Sequence, residues 1–582
     1  MQVIHGIPVS PGVAMGRVLV FHSEDFFAVP ESKIREEDVP REITRFEEAL
    51  TKTRAELLSI RRKISDEIGH EHSDIFNAHL LILEDRTLIE DVIQKVKEER
   101  VEVEFAFSSI IQRYFHAFLQ IDDEYLKERV SDIKDIGRRV LKNLMGRGKD
   151  LLSDLKEPVI IIAHDLSPSD TATMDKKNVI AFATDIGGPT SHTAIMALSL
   201  EIPAIVGLER VSKEVVNGDM VIIDGNRGDV IIDPDLTTMD RFTREEKRFI
   251  ELISELDKLK TLPAETKDGY RVNLSANIEF PDEIPSVLAH GAEGIGLYRT
   301  EYFYLNRSDL PGEQEQFEAY KAVAEKMAPR PVIIRTLDLG GDKFLSSLDL
   351  PREMNPFLGW RAIRFCLTHV DIFKIQLRAV LRASAFGKLK IMFPMVTSLD
   401  ELQKAKQILK EAQDELQNEG IAFDKKMPVG VMIEIPSAAL ISDTLAKTCN
   451  FFSIGSNDLI QYALAVDRGN EKIAYLYEPT HPAILKLISQ VIVNAKKEKI
   501  WVGICGEMGS DPVLALLLVG LGIDSISTSA FVLPKVKKAI RSVTFAQMKT
   551  IAKEALTFNT GGEIRKFIEI ELRKIAPELV EG

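Results

Sequence analysis

The stretch "LKIMFPMVTSLDELQKAKQILKEAQDELQNEG", residues 389–420, followed by "VGVMIEIP", residues 429–436, decides the fold of the larger half of the chain. The short apolar, β-branched runs at its two ends are typical of buried strands, and the segment between them has the apolar spacing of an amphipathic helix. A strand, a helix and a second strand in this order predict two parallel strands joined by a crossover helix.

The same rhythm recurs throughout the chain after Pro263. Six further strand candidates, each followed by a helical candidate, lie at residues 270–278, 292–298, 331–339, 451–458, 501–507 and 524–530. Eight strand–helix units in one domain predict a closed (β/α)₈ or TIM barrel, whose functional residues lie at the carboxyl ends of the strands.

The chain before Pro263 shows two other patterns. Long amphipathic periodicity within residues 31–146 predicts a helical domain. Short β-branched strands after it predict a small α/β module that includes the N-terminal strand, and a charged helical stretch connects this module to the barrel. We therefore expect a mixed α/β multidomain fold with these boundaries: 1–30 plus 147–233 for the α/β domain, 31–146 for the inserted helical domain, 234–262 for the linker and 263–582 for the barrel.

Composition excludes several classes of protein. The chain has 582 residues, of which 45% are hydrophobic, and its net charge of −15 disfavours nucleic acid as a partner. Its longest apolar run, residues 513–523, is too short to cross a bilayer, so no membrane insertion is expected. Three widely spaced cysteines favour a reducing, cytoplasmic location over a disulfide framework, and the N-terminus does not have the pattern of a signal peptide.

Charged and polar residues recur where the predicted barrel strands end. They are Arg299, Arg335, Asp338, Asp342, Glu434, Asn457, Asp458, Cys505 and Glu507, with Arg361 and Arg468 in the segments that follow. Arginine forks bind phosphate and carboxylate oxygens, and Glu434 and Asp458 are the kind of ligand that Mg²⁺ takes together with substrate oxygens. The barrel mouth therefore predicts a small, anionic, phosphorylated substrate.

A second candidate site lies in "TDIGGPTSHTAIMALSLEIPAIVG", residues 184–207. Gly187 and Gly188 allow a tight turn from a strand into a helix, and Thr190 or Ser191 can cap that helix. His192 is then expected in the first helical turn, where free N–H groups favour an anion. A neutral imidazole is a competent nucleophile, so the pattern suits a phosphohistidine.

These motifs together resemble the phosphoenolpyruvate (PEP)-utilising enzymes. "GGPTSHTAIMALSLEIPAIVG" is similar to their phosphohistidine signature, and "GLYRTEYFY", "RTLDLGGDK", "NPFLGWRAIR", "IGSNDLIQYALAVDRGN" and "GICGEM" are similar to their PEP-binding half. The helical segment, with "DDEYLKERVSDIKDIGRR", resembles the carrier-docking domain of the enzyme I branch, the PEP–protein phosphotransferases of the sugar phosphotransferase system. The resemblance covers nearly the whole chain.

The resemblance implies a specific reaction and a role for each site residue. PEP would phosphorylate His192, oriented by Thr171, and the group would pass to a histidine of the carrier protein HPr with release of pyruvate. Arg299, Arg335, Arg361, Asn457 and Arg468 would bind PEP, Glu434 and Asp458 would hold Mg²⁺, and Cys505 would donate the proton to the leaving enolate. The resemblance also implies a cytoplasmic homodimer joined through its barrels.

One departure from the family pattern stands beside the phosphohistidine. Pro189 and Leu198 occupy two positions where the family commonly has arginine. The nucleophile is retained, so the expected reaction stays the same, but the groups that neutralise the phosphoryl charge must differ. The alternatives are a PEP synthase-like enzyme, a carrier-docking regulator and the nitrogen-branch phosphotransferase paralogue.

Overall fold

A computed structural model describes most of the chain in two compact units, Met1–Ile253 and Ser254–Gly582. The described residues are 1–21, 29–67, 75–119, 124–146, 155, 157–166, 170–171, 174, 178–188, 197, 202–304, 309–340, 355–468, 470 and 472–577. The division between the units falls within the helix Leu236–Leu259.

Helices make up the middle of the first unit. They are α1 (Val39–Glu67), α2 (Ile75–Leu83), α3 (Arg86–Glu99), α4 (Val103–Leu119) and α5 (Glu124–Leu144). Helix α3 begins where the Asp85 side chain accepts a hydrogen bond from the backbone N–H of Leu88, and it ends at Arg100 in the left-handed conformation. Apolar side chains from one face of each helix, among them Phe46 and Phe107, form a shared core, as the amphipathic sequence predicts.

The rest of the first unit is built on an eight-stranded mixed sheet. The strands are β1 (Gln2–His5), β2 (Ile7–Ser10), β3 (Val13–Phe21), β4 (Val159–Ala163), β5 (Val179–Thr184), β6 (Ala204–Val206), β7 (Met220–Asp224) and β8 (Asp229–Ile232), in the order β1-β8-β7-β3-β4-β5-β6-β2. Strand β3 pairs in parallel with β4 and antiparallel with β7. This pairing confirms that the N-terminal strand joins the α/β module. Short helix α6 (Val211–Glu214) and long helix α7 (Leu236–Leu259) follow β6 and β8.

The second unit is a closed barrel of eight parallel strands, so the predicted TIM barrel is confirmed. The strands are β9 (Asn273–Ile278), β10 (Ile295–Tyr298), β11 (Pro331–Arg335), β12 (Lys388–Phe393), β13 (Val429–Ile433), β14 (Phe451–Ile454), β15 (Trp501–Ile504) and β16 (Ser525–Thr528). Strand β16 pairs with β9 and closes the ring. All eight carboxyl ends therefore open at one mouth.

Helices surround this barrel and bury its outer face. They are α8 (Ile284–Ala289), α9 (Glu313–Met327), α10 (Ala362–Thr368), α11 (Val370–Ala383), α12 (Leu399–Asn418), α13 (Pro436–Leu440), α14 (Ser442–Leu445), α15 (Ser456–Leu464), α16 (Pro482–Lys497), α17 (Pro512–Leu521), α18 (Leu533–Ser542), α19 (Phe545–Ala555) and α20 (Gly561–Ile575). Strand and helix side chains share one continuous apolar core. Within the described part of the chain, no helix combines the length and apolar character needed to cross a membrane.

Candidate active site

The predicted barrel residues lie together at the carboxyl ends of five strands. Arg299 and Arg335 stand at the ends of β10 and β11, Glu434 follows β13, Asn457 and Asp458 begin helix α15 after β14, and Cys505 follows β15. Since these strands are parallel neighbours in a closed ring, their ends bring the side chains to one mouth.

Arg335 is the central cation of this mouth. Its Nη2 lies 2.8 Å from Glu301 Oε1, and its Nη1 lies 2.8 Å from Asp338 Oδ2. Burial disfavours the charged guanidinium, but the Glu301 and Asp338 carboxylates outweigh burial and raise the pKa of Arg335 above its ordinary value. Arg335 therefore remains a fixed positive charge in a poorly hydrated place.

Arg361 extends this ion-pair chain. Its Nη2 lies 3.1 Å from Asp338 Oδ1, so Asp338 holds Arg335 on one oxygen and Arg361 on the other. The backbones of Arg361 and Gly340 form an isolated antiparallel bridge that fixes the start of α10 beside the segment that follows β11. Two guanidinium groups are thereby held side by side by one carboxylate.

The remaining two arginines also have acidic partners. Arg299 pairs with Glu279, and Arg468 Nη1 lies 3.0 Å from Glu507 Oε1. Asn457 bonds Glu507 twice: its Nδ2 donates to Glu507 Oε1 at 3.0 Å, and its Oδ1 accepts from the Glu507 backbone N–H at 2.8 Å. The loops after β14 and β15 are thus joined across the mouth.

Glu434 is the carboxylate whose hydrogen bonding is incomplete. It is fully buried, and its Oε1 accepts a hydrogen bond from the Met395 backbone N–H. Its Oε2 has no hydrogen-bond partner among the described residues. Burial, followed by the charges of Asp338 and Asp458, raises the pKa of Glu434 well above its usual range. Burial likewise raises the pKa of Asp458.

Among the described residues of the mouth, carboxyl groups outnumber arginines. The four arginines are 299, 335, 361 and 468, and the six carboxyl groups are 279, 301, 338, 434, 458 and 507. Among the described residues, the mouth included, no group of three or more His, Cys, Asp or Glu side chains is placed to hold a metal ion. Glu434 and Asp458 thus provide a two-carboxylate set, which suits Mg²⁺ bound together with substrate oxygens.

Cys505 places a protonated thiol inside this mouth. Its side chain is buried, and its Sγ lies 3.7 Å from the carbonyl oxygen of Ile454, to which it can donate. Burial raises the pKa of the Cys505 thiol, so the thiol is mostly protonated at neutral pH. A protonated thiol can act as a proton donor.

The structure also adds residues that the sequence did not single out. Glu301 and Glu279 pair with Arg335 and Arg299, and Asn277 donates a hydrogen bond to the carbonyl oxygen of Cys505. Glu301 stands two residues after Arg299 in "LYRTEYFY", and a buried arginine requires such a partner, so this signal was present in the sequence. Asn277 is a polar residue inside an otherwise apolar strand, which is a weaker signal.

The second candidate site is only partly within the described residues. His192, Pro189 and Leu198 lie outside them, and so does Asp342, which was predicted at the barrel mouth. Gly187, which follows β5, has φ of +125°, a conformation that favours glycine. Thr171 is buried in the first unit, next to Asp170, which pairs with Arg138 of α5.

Three family models match the chain. They are described as PEP-utilising enzyme, N-terminal (residues 5–129), PEP-utilising enzyme, mobile domain (residues 155–228), and PEP-utilising enzyme, PEP-binding domain (residues 254–545). The last of these covers the barrel whose mouth carries the four arginines.

Curated relatives match over nearly the whole length. The phosphoenolpyruvate-protein phosphotransferase of Bacillus sp. (strain S) is 46% identical over 98% of both chains, and that of Haemophilus influenzae is 47% identical over 97% of this chain and 98% of its own. A solution structure titled as Enzyme I (nEIt) is 44% identical, covers 42% of this chain and 99% of its own, and gives a TM-score of 0.36. The chain therefore belongs to the PEP-utilising enzymes, in the family of phosphoenolpyruvate-protein phosphotransferases.

Proposed function

We propose that the chain transfers the phosphoryl group of PEP through His192 to a histidine of HPr and releases pyruvate. The observation that carries this proposal is the barrel mouth, where four arginines and two carboxyl groups, the buried Glu434 and the half-buried Asp458, converge at the carboxyl ends of parallel strands. A small molecule with a phosphate and a carboxylate matches this set of charges.

The arginines bind and orient PEP in this account. Arg335 and Arg361, held in place by Asp338, present guanidinium N–H groups at the centre of the mouth, while Arg299, Arg468 and Asn457 line its rim. Phosphoryl transfer passes through a loose transition state, so catalysis rests mostly on positioning and charge neutralisation. Fixed guanidinium groups supply both.

Glu434 and Asp458 are proposed as the Mg²⁺ ligands. Two observations fit a divalent cation: the buried Oε2 of Glu434 has no hydrogen-bond partner among the described residues, and six carboxyl groups stand beside four arginines in the described part of the mouth. When bound, Mg²⁺ would neutralise charge on the transferring phosphoryl group. The pKa values of Glu434 and Asp458 are raised because burial disfavours the negative charge of each carboxylate.

The chemistry then has three parts in this proposal. A nitrogen of His192 forms a bond to phosphorus as the bond from phosphorus to the enol oxygen of PEP breaks, with Thr171 orienting the imidazole. The pyruvate enolate takes a proton on carbon from the Cys505 thiol, so a C–H bond forms as the S–H bond breaks. Solvent returns the proton to the thiolate. Phospho-His192 afterwards transfers the group to the histidine of HPr.

The domain division is part of the same proposal. We assign residues 31–146 to HPr docking, 1–30 plus 147–233 to the phosphohistidine domain, 234–262 to the linker and 263–582 to PEP binding and dimerisation. His192 must meet PEP in one step and HPr in the next, so the phosphohistidine domain has to change its position between the two steps. Long helix α7 would act as the linker during this motion.

A homodimer and a cytoplasmic location complete the proposal. Large apolar side chains are exposed on barrel helices, among them Leu440 of α13 and Val493 of α16, and a second copy of the barrel would cover them. All three cysteines are free and buried, which agrees with a reducing compartment.

The test is a reconstituted transfer. PEP, Mg²⁺, the chain and HPr should give phosphorylated HPr and pyruvate in equal amounts, and ATP should not replace PEP as the donor. Pyruvate formation that requires ATP or AMP would favour the PEP synthase-like alternative. Transfer to a nitrogen-branch carrier in preference to HPr would favour the nitrogen-branch alternative.

A further inference from the structure

A buried hydrogen-bonded network lies directly behind strands β10 and β11. Its centre is Gln376 of α11, which is 1% exposed. Gln376 Oε1 accepts from the Leu337 backbone N–H at 2.9 Å, and its Nε2 donates to Thr300 Oγ1 at 3.1 Å and to the Tyr320 hydroxyl at 3.3 Å. Both amide hydrogens and the amide oxygen are therefore used.

The network continues on both sides with one consistent donor direction. The Thr300 hydroxyl donates to the carbonyl oxygen of Arg335 at 3.0 Å. On the other side, the Tyr320 hydroxyl donates to Gln316 Oε1 at 3.0 Å, and Gln316 Nε2 donates to the carbonyl of Pro311 at 3.2 Å. Because each of these donors has a specific acceptor, the network favours a single arrangement of the side chains.

Two of these contacts, at Thr300 and Leu337, lie beyond the last residue pair of β10 and β11. The ladder between β10 and β11 pairs Tyr298 with Ile334, the last pair in its register. Thr300 and Leu337 come after that pair. Gln376, on a helix that surrounds the barrel, thus connects the two strand ends at a level where β10 and β11 no longer pair with each other.

The backbone segments connected in this way carry site residues. Thr300 directly follows Arg299, its hydroxyl holds the carbonyl of Arg335, and Leu337 directly precedes Asp338. We propose that Gln376, acting through Thr300, is a positioning residue for PEP: it fixes the separation of Arg299 and Arg335. This inference rests on the proposed function, in which these arginines bind PEP.

A displacement of about 1 Å between binding groups can cost about 10²-fold in rate. A purely structural role of Gln376 would lower the stability of the fold without selectively impairing the use of PEP. The two roles can therefore be separated by comparing the KM for PEP with the KM for HPr.

The central variant is Gln376→Leu, which keeps the volume and removes all three hydrogen bonds. We expect the KM for PEP to rise about 10-fold or more while the KM for HPr stays unchanged. Asn494→Leu is the matched control, since Asn494 is also buried in the barrel unit and donates to Ser442 Oγ at 3.0 Å. The control should lower the melting temperature without changing the KM for PEP.

A second pair of variants keeps the inference testable if Gln376→Leu does not fold. Thr300→Val removes only the hydroxyl and should raise the KM for PEP, whereas Thr300→Ser restores the hydroxyl and should return the KM towards the wild-type value. Native KM values for PEP in both Gln376→Leu and Thr300→Val would overturn the inference, and so would equal values for the two Thr300 variants. A wild-type chain that does not use PEP at all would instead refute the proposed function.

Discussion

The side chain of Asn277 donates a hydrogen bond to the carbonyl oxygen of Cys505 at 3.0 Å, and its Oδ1 accepts one from the Ser527 hydroxyl at 2.6 Å. Asn277 belongs to β9 and Ser527 to β16, while Cys505 follows β15. The Cys505 backbone N–H also donates to the carbonyl of Ile454 at 3.1 Å. The backbone of Cys505 is thus held by β9 and β14, and β16 supports Asn277.

Replacing the thiol tests its role as the proton donor. Cys505→Ala should slow pyruvate formation by about 10²–10⁴-fold, the usual contribution of a general acid, while PEP affinity changes little. Steady-state kinetics and a direct PEP-binding measurement check both parts. Cys449→Ala, at another buried free cysteine, is the control and should stay near the wild-type rate. Pyruvate release at the wild-type rate in Cys505→Ala would place the proton donor elsewhere.

Replacing Asn277 tests whether the position of that thiol matters. Asn277→Leu keeps the volume and removes the bond to the Cys505 carbonyl, so kcat should fall about 10-fold with the KM for PEP nearly unchanged. Ser527→Ala removes only the support of Asn277 and should have a smaller effect. The assignment fails if Asn277→Leu alters only the KM for PEP and leaves kcat intact.

Replacing Glu434 tests the cation site. Glu434→Gln retains the bond from the Met395 N–H but removes the charge, so the Mg²⁺ concentration for half-maximal activity should rise at least about 10-fold. Glu411→Gln, an exposed carboxylate paired with Lys374, is the control. An unchanged Mg²⁺ dependence in Glu434→Gln would remove this residue from the cation site.

Lys390 gives a pH-dependent test of the barrel interior. Its ammonium lies 4.4 Å from the ring centroid of Trp501, and burial lowers the pKa of Lys390 below its ordinary 10.5. The folded state therefore binds this proton more weakly than the unfolded state does. Below pH 10.5 the charged Lys390 consequently lowers the free energy of unfolding, and above that pH this penalty disappears.

Lys390→Met should consequently raise the melting temperature at pH 7. The difference from wild type should shrink as the pH approaches 10.5, which a series of thermal melts can measure. Lys388→Met, on the same strand but exposed, is the control. A difference that stays constant across this pH range would contradict the effect of burial on the Lys390 ammonium.

The barrel could be predicted from sequence because each strand and its helix are adjacent in the chain. The predicted ends of the strands were less accurate: residues 331–339 were predicted as one strand, yet β11 ends at Arg335. Beyond Arg335, the Leu337 N–H bonds the Gln376 side chain instead of a neighbouring strand. This contact comes from a side chain of helix α11, and no local sequence pattern reports it.

The same reasoning separates the site residues that were predicted from those that were not. Arg335, Glu434 and Cys505 could be found because each directly ends or follows a recognisable strand. Gln376 could not, because it acts on Thr300, 76 residues away, from within the apolar face of an ordinary amphipathic helix. Its function depends on packing, which sequence spacing does not encode.

The central claim is that the phosphoryl group of barrel-bound PEP passes through His192. The most direct measurement is labelling of the full chain with ³²P-PEP and Mg²⁺, comparing wild type with His192→Ala. Wild type should gain an acid-labile, base-stable label that maps to His192. The variant should gain none while still binding PEP, because the barrel mouth is unchanged. Undiminished labelling of His192→Ala would contradict the account.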